Sequence, residues 1–145
     1  TLFRSLGLPL QIHDREAHAD TIRILLEEGA PERTVFHCFS GDKEIAQVLA
    51  DNGWYASIAG PVTYNANEWL REAVLAMPPS LLLVETDAPY LTPHPHRGQP
   101  NASYMTVWTV RKLAEITGST ETELARHLLN NTREVYGEAV TAFAN

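Results

Sequence analysis

His13, His37 and Asp87 each stand at the end of a short apolar run, and that placement limits the chemistry they can do. Pro9-Leu10-Gln11-Ile12 runs into His13, Thr34-Val35-Phe36 into His37, and Leu81-Leu82-Leu83-Val84 into Glu85-Thr86-Asp87. Neutral imidazoles suit Zn, Mn or Fe, and a carboxylate is a hard oxygen ligand. One histidine at a strand end is more often structural than a ligand. Three ionisable groups brought to the same end of one sheet are another matter, because a hydrophobic core has no use for such a cluster. The C-terminal ends of parallel strands are also where α/β enzymes gather their reacting groups. The pattern therefore points to a metal-centred enzyme. Glu85 lies two residues before Asp87 and shares its face in an extended strand. It reads either as an acid behind the ligands that orients a histidine or lysine-type partner, or as one half of a buried salt bridge.

The elements that must position these residues alternate strand and helix. Leu8–His13, Thr34–Cys38, Trp54–Ala59 and Leu81–Thr86 read as strands. Helical spacing marks Glu16–Glu28, Asp42–Asp51 and Asn67–Met77 between them. A long loop from Asp87 to Ala102, carrying Pro89, Pro93, Pro95 and Pro100, follows the last strand, and loops of that length are commonly functional. Two helices close the chain. The first covers Ser103–Thr117. The second opens with the capping box Thr120-Glu121-Thr122-Glu123 and is expected to break near Asn130-Asn131. A helix remnant over residues 1–6 precedes the first strand, and the tail from Gly137 is expected to fray. Alternation of this kind implies a parallel sheet with right-handed crossovers, either an open doubly wound sheet or half of an eight-stranded barrel. Side-chain parity favours the barrel. Gln11 shares a face with His13, Val35 with His37, and Leu83 with Glu85 and Asp87, so all the site residues can point into one central cavity.

At 145 residues, 44% hydrophobic and 20% charged, the chain has the size and composition of an ordinary globular domain. Its net charge of −7 argues against a broad basic footprint for nucleic acid. A local catalytic contact with phosphate stays open, since a bound metal supplies positive charge where it is needed. The single cysteine, Cys38, excludes an internal disulfide and fits a reducing compartment such as the cytoplasm. No apolar run has the length of a membrane span, and no signal peptide is evident at the start.

Smaller expectations attach to other residues. Arg15, Arg97 and His96 are candidates for holding a substrate phosphate, against the plainer reading of salt-bridged or solvated side chains. Ser40-Gly41 precede a helix, where backbone N–H groups can face an anion, although capping also explains Ser40. Cys38 alternates away from His37 and is expected to be inert packing. His18 and His127 are expected on the surface. Trp54, Trp69 and Trp108 are expected between layers rather than as base-stacking platforms.

Pro9-Leu10-Gln11-Ile12-His13-Asp14-Arg15-Glu16-Ala17-His18-Ala19-Asp20, Phe36-His37-Cys38-Phe39-Ser40-Gly41, and Leu83-Val84-Glu85-Thr86-Asp87-Ala88-Pro89-Tyr90-Leu91 with Pro95-His96-Arg97-Gly98 form an ordered set. Over about Leu8 to Gly137 the chain resembles the TatD family of metal-dependent deoxyribonucleases. The resemblance implies a TIM-type (β/α)8 barrel of the metallo-dependent hydrolase superfamily. It makes His13 and His37 metal ligands on the fifth and sixth strands, and Asp87 a ligand and general base on the eighth. It also implies a deoxyribonuclease, acting from DNA ends with Mg, Mn or Zn, two ions in the complete barrel. Hydrolysis of C–N or carboxylic ester bonds on the same metal is the alternative.

The family's first-strand His-x-His and bridging Glu have no counterpart here. A whole barrel of this type takes about 250 residues. The chain therefore reads as strands five to eight with C-terminal helices, a partial barrel over residues 1–145 that lacks its N-terminal half. Alone, it is expected to be inactive. Its edge strands and bare inner residues Val35 and Leu83 are expected to need the missing half-barrel, or a second copy, to close the barrel.

Overall fold

The four apolar runs become the strands of one parallel sheet in a computed structural model, which describes residues 5–137. β1 (Leu10–His13), β2 (Thr34–His37), β3 (Tyr55–Ile58) and β4 (Leu82–Val84) lie in the order β1-β2-β3-β4. Each pairs in parallel with the next. Neighbours in sequence are neighbours in space, so the sheet lacks the reversal of strand order that defines a doubly wound fold. The connecting helices are α1 (His18–Glu28), α2 (Lys43–Asp51) and α3 (Glu68–Ala76), followed by α4 (Thr106–Thr117) and α5 (Glu121–Tyr136). Of the helix expected over residues 1–6, only residues 5–6 lie within the described part, and they are helical. The tail beyond Gly137 lies outside the described residues.

Local signals start and stop these elements. Asp42 caps α2 by accepting from the Ile45 N–H at 3.0 Å, so the cap is Asp42 rather than Ser40. Gly118 ends α4 at φ +68°, a left-handed conformation that glycine adopts without steric cost. Thr120 and Glu123 form the reciprocal capping box at the start of α5, as their spacing indicates.

The two faces of the sheet are unequal. Phe36, Ala56, Ile58 and Leu82 form a continuous core with Leu49, Leu70, Leu113 and Leu128 from the helices. The other face carries a smaller apolar group, Val35 and Leu83 with Tyr55 beside them. These residues are not bare, contrary to the sequence expectation. Val35 is 1% and Leu83 3% exposed, because Val135 at the end of α5 packs over them. The end of that helix is held there by Arg33, which donates to the Val135 carbonyl at 3.0 Å, and by Tyr136, whose hydroxyl meets Gln11 Oε1 at 3.1 Å.

Nor does α5 break at Asn130-Asn131. The Asn131 amide is buried and donates to the carbonyls of Pro79 at 2.7 Å and Leu82 at 2.8 Å. The Glu85 N–H continues the β3–β4 ladder onto Ile58 O at 3.0 Å. Strand alternation then turns the Leu82 carbonyl outward, so Asn131 blunts part of the outer edge of β4. Asn131→Ala leaves both carbonyls buried without this donor. We expect a loss of about 1–3 kcal/mol, read as a lower urea midpoint at unchanged m value. An unchanged midpoint contradicts a structural role for this amide.

Candidate metal centre

Register puts the two histidines side by side. His13 pairs with His37 across β1 and β2, and their ring centroids are 5.7 Å apart. Asp87 arrives by a different route from the one its spacing suggests. β4 ends at Val84, and Asp87 has φ +56°, so a left-handed turn rather than strand alternation brings its carboxylate in. Glu85 must pass over β3 to reach β2. It can do so because the residue of β3 in register with Leu83 is the small Ser57.

His37, Glu85 and Asp87 offer one ligand atom each, all within 4.8 Å of one another. His37 Nδ1 lies 2.7 Å from Glu85 Oε1, and Nε2 lies 3.5 Å from Asp87 Oδ1. Glu85 Oε2 accepts the Cys38 N–H at 3.1 Å. The approach to His37 is short but not directed along a ring N–H. Glu85 Oε1 is thus buried with no hydrogen-bond partner among the described residues. A buried carboxylate oxygen in that state is costly unless a cation or proton answers it. Imidazole and carboxylate donors around an unsatisfied oxygen fit a divalent ion. His13 stands next to this group rather than inside it.

His13, His37 and Asp87 open onto a cleft of about 430 Å³. Every non-glycine residue with positive φ among the described ones lines it: Glu16 at +56°, Cys38 at +47°, Asp87 at +56° and Leu91 at +54°. Left-handed conformations at such residues cost about 1–3 kcal/mol each and gather at functional sites. Arg15 lines the same cleft, is exposed, and makes no ion pair among the described residues. The salt-bridged reading of Arg15 is therefore not realised.

Spacing did not reveal two other features of the cleft. His18 is not a plain surface residue: its Nδ1 lies 2.5 Å from Asp14 Oδ2, and both side chains line the cleft. Trp69 is 40% exposed on the first turn of α3 and also lines it. Only Trp54 packs between layers, stacked on Phe36 at 6.0 Å.

Arg97 and His96 are not brought to the cluster. The Arg97 guanidinium lies over the Tyr64 ring at 4.1 Å, and His96 meets Trp108 edge-on at 5.0 Å. Both belong to the loop after Asp87, outside the cleft lining. That loop is tied down at several points. Asn101 donates to Thr86 O and Tyr90 O, both at 2.6 Å, and Tyr64 to Thr92 O at 3.0 Å. Gly60 admits Leu91, since a Cβ there would stand 2.1 Å from the Leu91 carbonyl oxygen. His127 is exposed, as expected, and so is His94.

A singly wound parallel sheet with imidazole and carboxylate donors at its strand ends places the chain in the class of α/β domains with a candidate metal site. Comparison gives the family. Residues 1–137 match the family described as TatD related DNase, and the chain belongs to it. It is 47% identical to the "uncharacterized metal-dependent hydrolase TatD" of Mycobacterium tuberculosis, over 94% of this chain and 52% of that protein. It is 43% identical to "uncharacterized metal-dependent hydrolase YcfH" of Escherichia coli K12, over 88% and 49%. Among solved structures, YJJV, a TatD homologue from E. coli K12, superposes with a TM-score of 0.87 at 30% identity, over 93% of this chain and 52% of that one. A TatD-family hydrolase of Entamoeba histolytica shares the fold, with a TM-score of 0.81 at 19% identity over 93% and 53%. The chain thus spans about half the length of the relatives it matches. No helix among the described residues is long and apolar enough to cross a membrane.

Cys38 lines the cleft instead of pointing to the helices, yet its thiol stays protonated. Burial, then the negative charges of Glu85 and Asp87, push its pKa up to about 12. The neutral form is the stable one until strongly alkaline pH. In chelator-treated protein we expect alkylation by iodoacetamide at pH 8.5 to run at least about 100-fold slower than for a free cysteine. A rate equal to that of free cysteine contradicts this assignment.

Proposed function

We propose that the chain forms strands five to eight of a TIM-type (β/α)8 metallo-hydrolase barrel, and that the protein hydrolyses DNA phosphodiesters from an end, in the cytoplasm. One observation carries the reading. His37 Nε2 and Asp87 Oδ1 lie side by side, 3.5 Å apart, at the C-terminal ends of parallel strands with Glu85 behind them. Arg15, without an acid partner among the described residues, supports an anionic substrate in the same cleft.

His13, His37 and Asp87 would hold a divalent ion, Mg, Mn or Zn, and the complete barrel would hold two. When bound, such an ion supplies positive charge that acidifies water and polarises a phosphoryl oxygen. Glu85 fixes the rotation of the His37 ring from its Nδ1 side, which keeps Nε2 turned to Asp87. Asp87 takes the proton of the attacking water on its free carboxylate oxygen. Arg15 holds a non-bridging phosphate oxygen and limits how the substrate turns.

In the full length its gene encodes, the protein is expected to release nucleotides from DNA with Mg, Mn or Zn and to lose this activity to a chelator. Asp87→Asn should lower the rate at least about 100-fold. Glu85→Gln should weaken metal binding about 10- to 100-fold in calorimetry. Turnover of amide or carboxylic ester substrates without nucleotide release would overturn the phosphodiester reading in favour of C–N or ester hydrolysis.

The 145-residue chain by itself lacks ligands that the barrel would bring, and we expect no nuclease activity from it. It should be ordered only with a complement, either the N-terminal half-barrel or a second copy. Light scattering after size exclusion tests this. A well-folded monomer with a sharp thermal transition would contradict the half-barrel.

A further inference from the structure

We propose that the apolar part of the cleft lining is a nucleobase subsite, with the Trp69 indole as its stacking surface. The proposal rests on the phosphodiesterase reading and says which part of the substrate is recognised beyond phosphate.

The cleft lining is chemically mixed. His13, His37, Asp87 and Arg15 suit an anion and its counter-charge. Phe39, Trp69, Leu70 and Leu91 present carbon and have no role in handling phosphate. A ligand that matches both kinds of residue is anionic at one point and flat and apolar at another. A nucleotide has that form, and about 430 Å³ lies within the range of small-ligand sites.

Core packing does not bury Trp69. The buried stripe of α3 is Leu70, Ala73 and Val74, continued by Met77 just after the helix. Trp69 stands one turn before Ala73, on the flank of that stripe, yet it is 40% exposed and lines the cleft. Exposed aromatic faces stack on any base, which suits an enzyme that tolerates many sequences.

The first turn of α3 is also held in place. Arg71 donates to the carbonyls of Tyr64 at 2.8 Å, Asn65 at 3.1 Å and Val62 at 3.4 Å. Asn67 donates to Pro61 O at 3.0 Å, and Leu70 is sunk in the core. A ring carried on such a turn loses little freedom when a base stacks on it.

The test compares binding of deoxyadenosine 5′-phosphate with that of 2-deoxyribose 5-phosphate, which keeps the phosphate and sugar but has no base. Calorimetry is run on the full-length protein at one metal content, for wild type, Trp69→Ala and Trp69→Phe, with circular dichroism to confirm equal folding. Wild type should prefer the nucleotide by roughly 5- to 150-fold. Trp69→Ala should remove that preference without weakening the sugar phosphate, and Trp69→Phe should restore most of it. The subsite is overturned if wild type shows no preference, if Trp69→Ala keeps it, if both ligands weaken equally, or if neither binds up to millimolar concentration. Failure of the nuclease reading looks different: no nucleotide is released from DNA, while the base preference and its loss in Trp69→Ala remain.

Discussion

Glu85 joins two strands that do not touch. It sits at the end of β4, crosses β3 above Ser57, and meets the end of β2 through the Cys38 N–H at 3.1 Å and His37 Nδ1 at 2.7 Å. The cleft depends on that crossing. Glu85 Oε1 lies 2.7 Å from His37 Nδ1 on the side of the ring opposite the Nε2 that faces Asp87. The Cys38 contact, together with the Phe39 N–H donating to Ser57 O at 2.9 Å, anchors the left-handed turn after His37 on the sheet. A larger residue in place of Ser57 would stand in the path of the carboxylate. The arrangement also leaves Oε1 buried without a directed donor, a deficit that a nearby cation offsets and an apolar core would not tolerate.

Backbone strain around the cleft follows from the same geometry. Strand ends that turn sharply put side chains where alternation alone would not, and Cys38 and Asp87 hold left-handed conformations to do it. Such conformations persist only where surrounding structure over-determines them. Here the loop after Asp87 supplies that structure: the Asn101 amide bridges Thr86 and Tyr90, Thr92 donates to Gln99 O at 2.6 Å, and His94 N–H reaches Thr63 Oγ1 at 2.8 Å. Gly60 matters for the same reason, since only a residue without Cβ lets this loop lie against the end of β3.

How much of this was legible depends on whether a residue's role is local. Apolar runs, capping residues and the glycine after α4 act within a few positions, so strands, helices and the Thr120–Glu123 box were readable. The gathering of His13, His37 and Glu85 at one sheet end followed from parity, whereas Asp87 joins them through a left-handed turn that parity does not show. Roles set by distant partners were not readable. Asn131 looks like a helix breaker, because a buried asparagine with no local partner is unfavourable. Its partners are carbonyls about fifty residues away, at Pro79 and Leu82. Val35 and Leu83 looked bare because nothing in their own segments says that Val135 will cover them. Arg97 and His96 sit near Asp87 in sequence, but the fold spends them on Tyr64 and Trp108. Trp69 gave no such signal: it lies one turn before Ala73, on the flank of the apolar stripe of its own helix, so its spacing reads as packing and only the fold shows it 40% exposed in the cleft.

Exposure across the site is uneven, and that bears on the proposed barrel. The Glu85 side chain is 18% exposed, His37 22% and Asp87 31%, while His13, on the edge strand β1, is exposed. Glu85 is therefore the most enclosed of the four, and His13 stands at an open flank. The open flank coincides with the sheet edge where the proposed half-barrel would add its strands. Electrostatics point the same way. With a net charge of −7 the chain repels a phosphate backbone at long range, so attraction must come from within the cleft. Arg15 provides one positive charge there, and the ions that further ligands would secure on the β1 side would provide the rest.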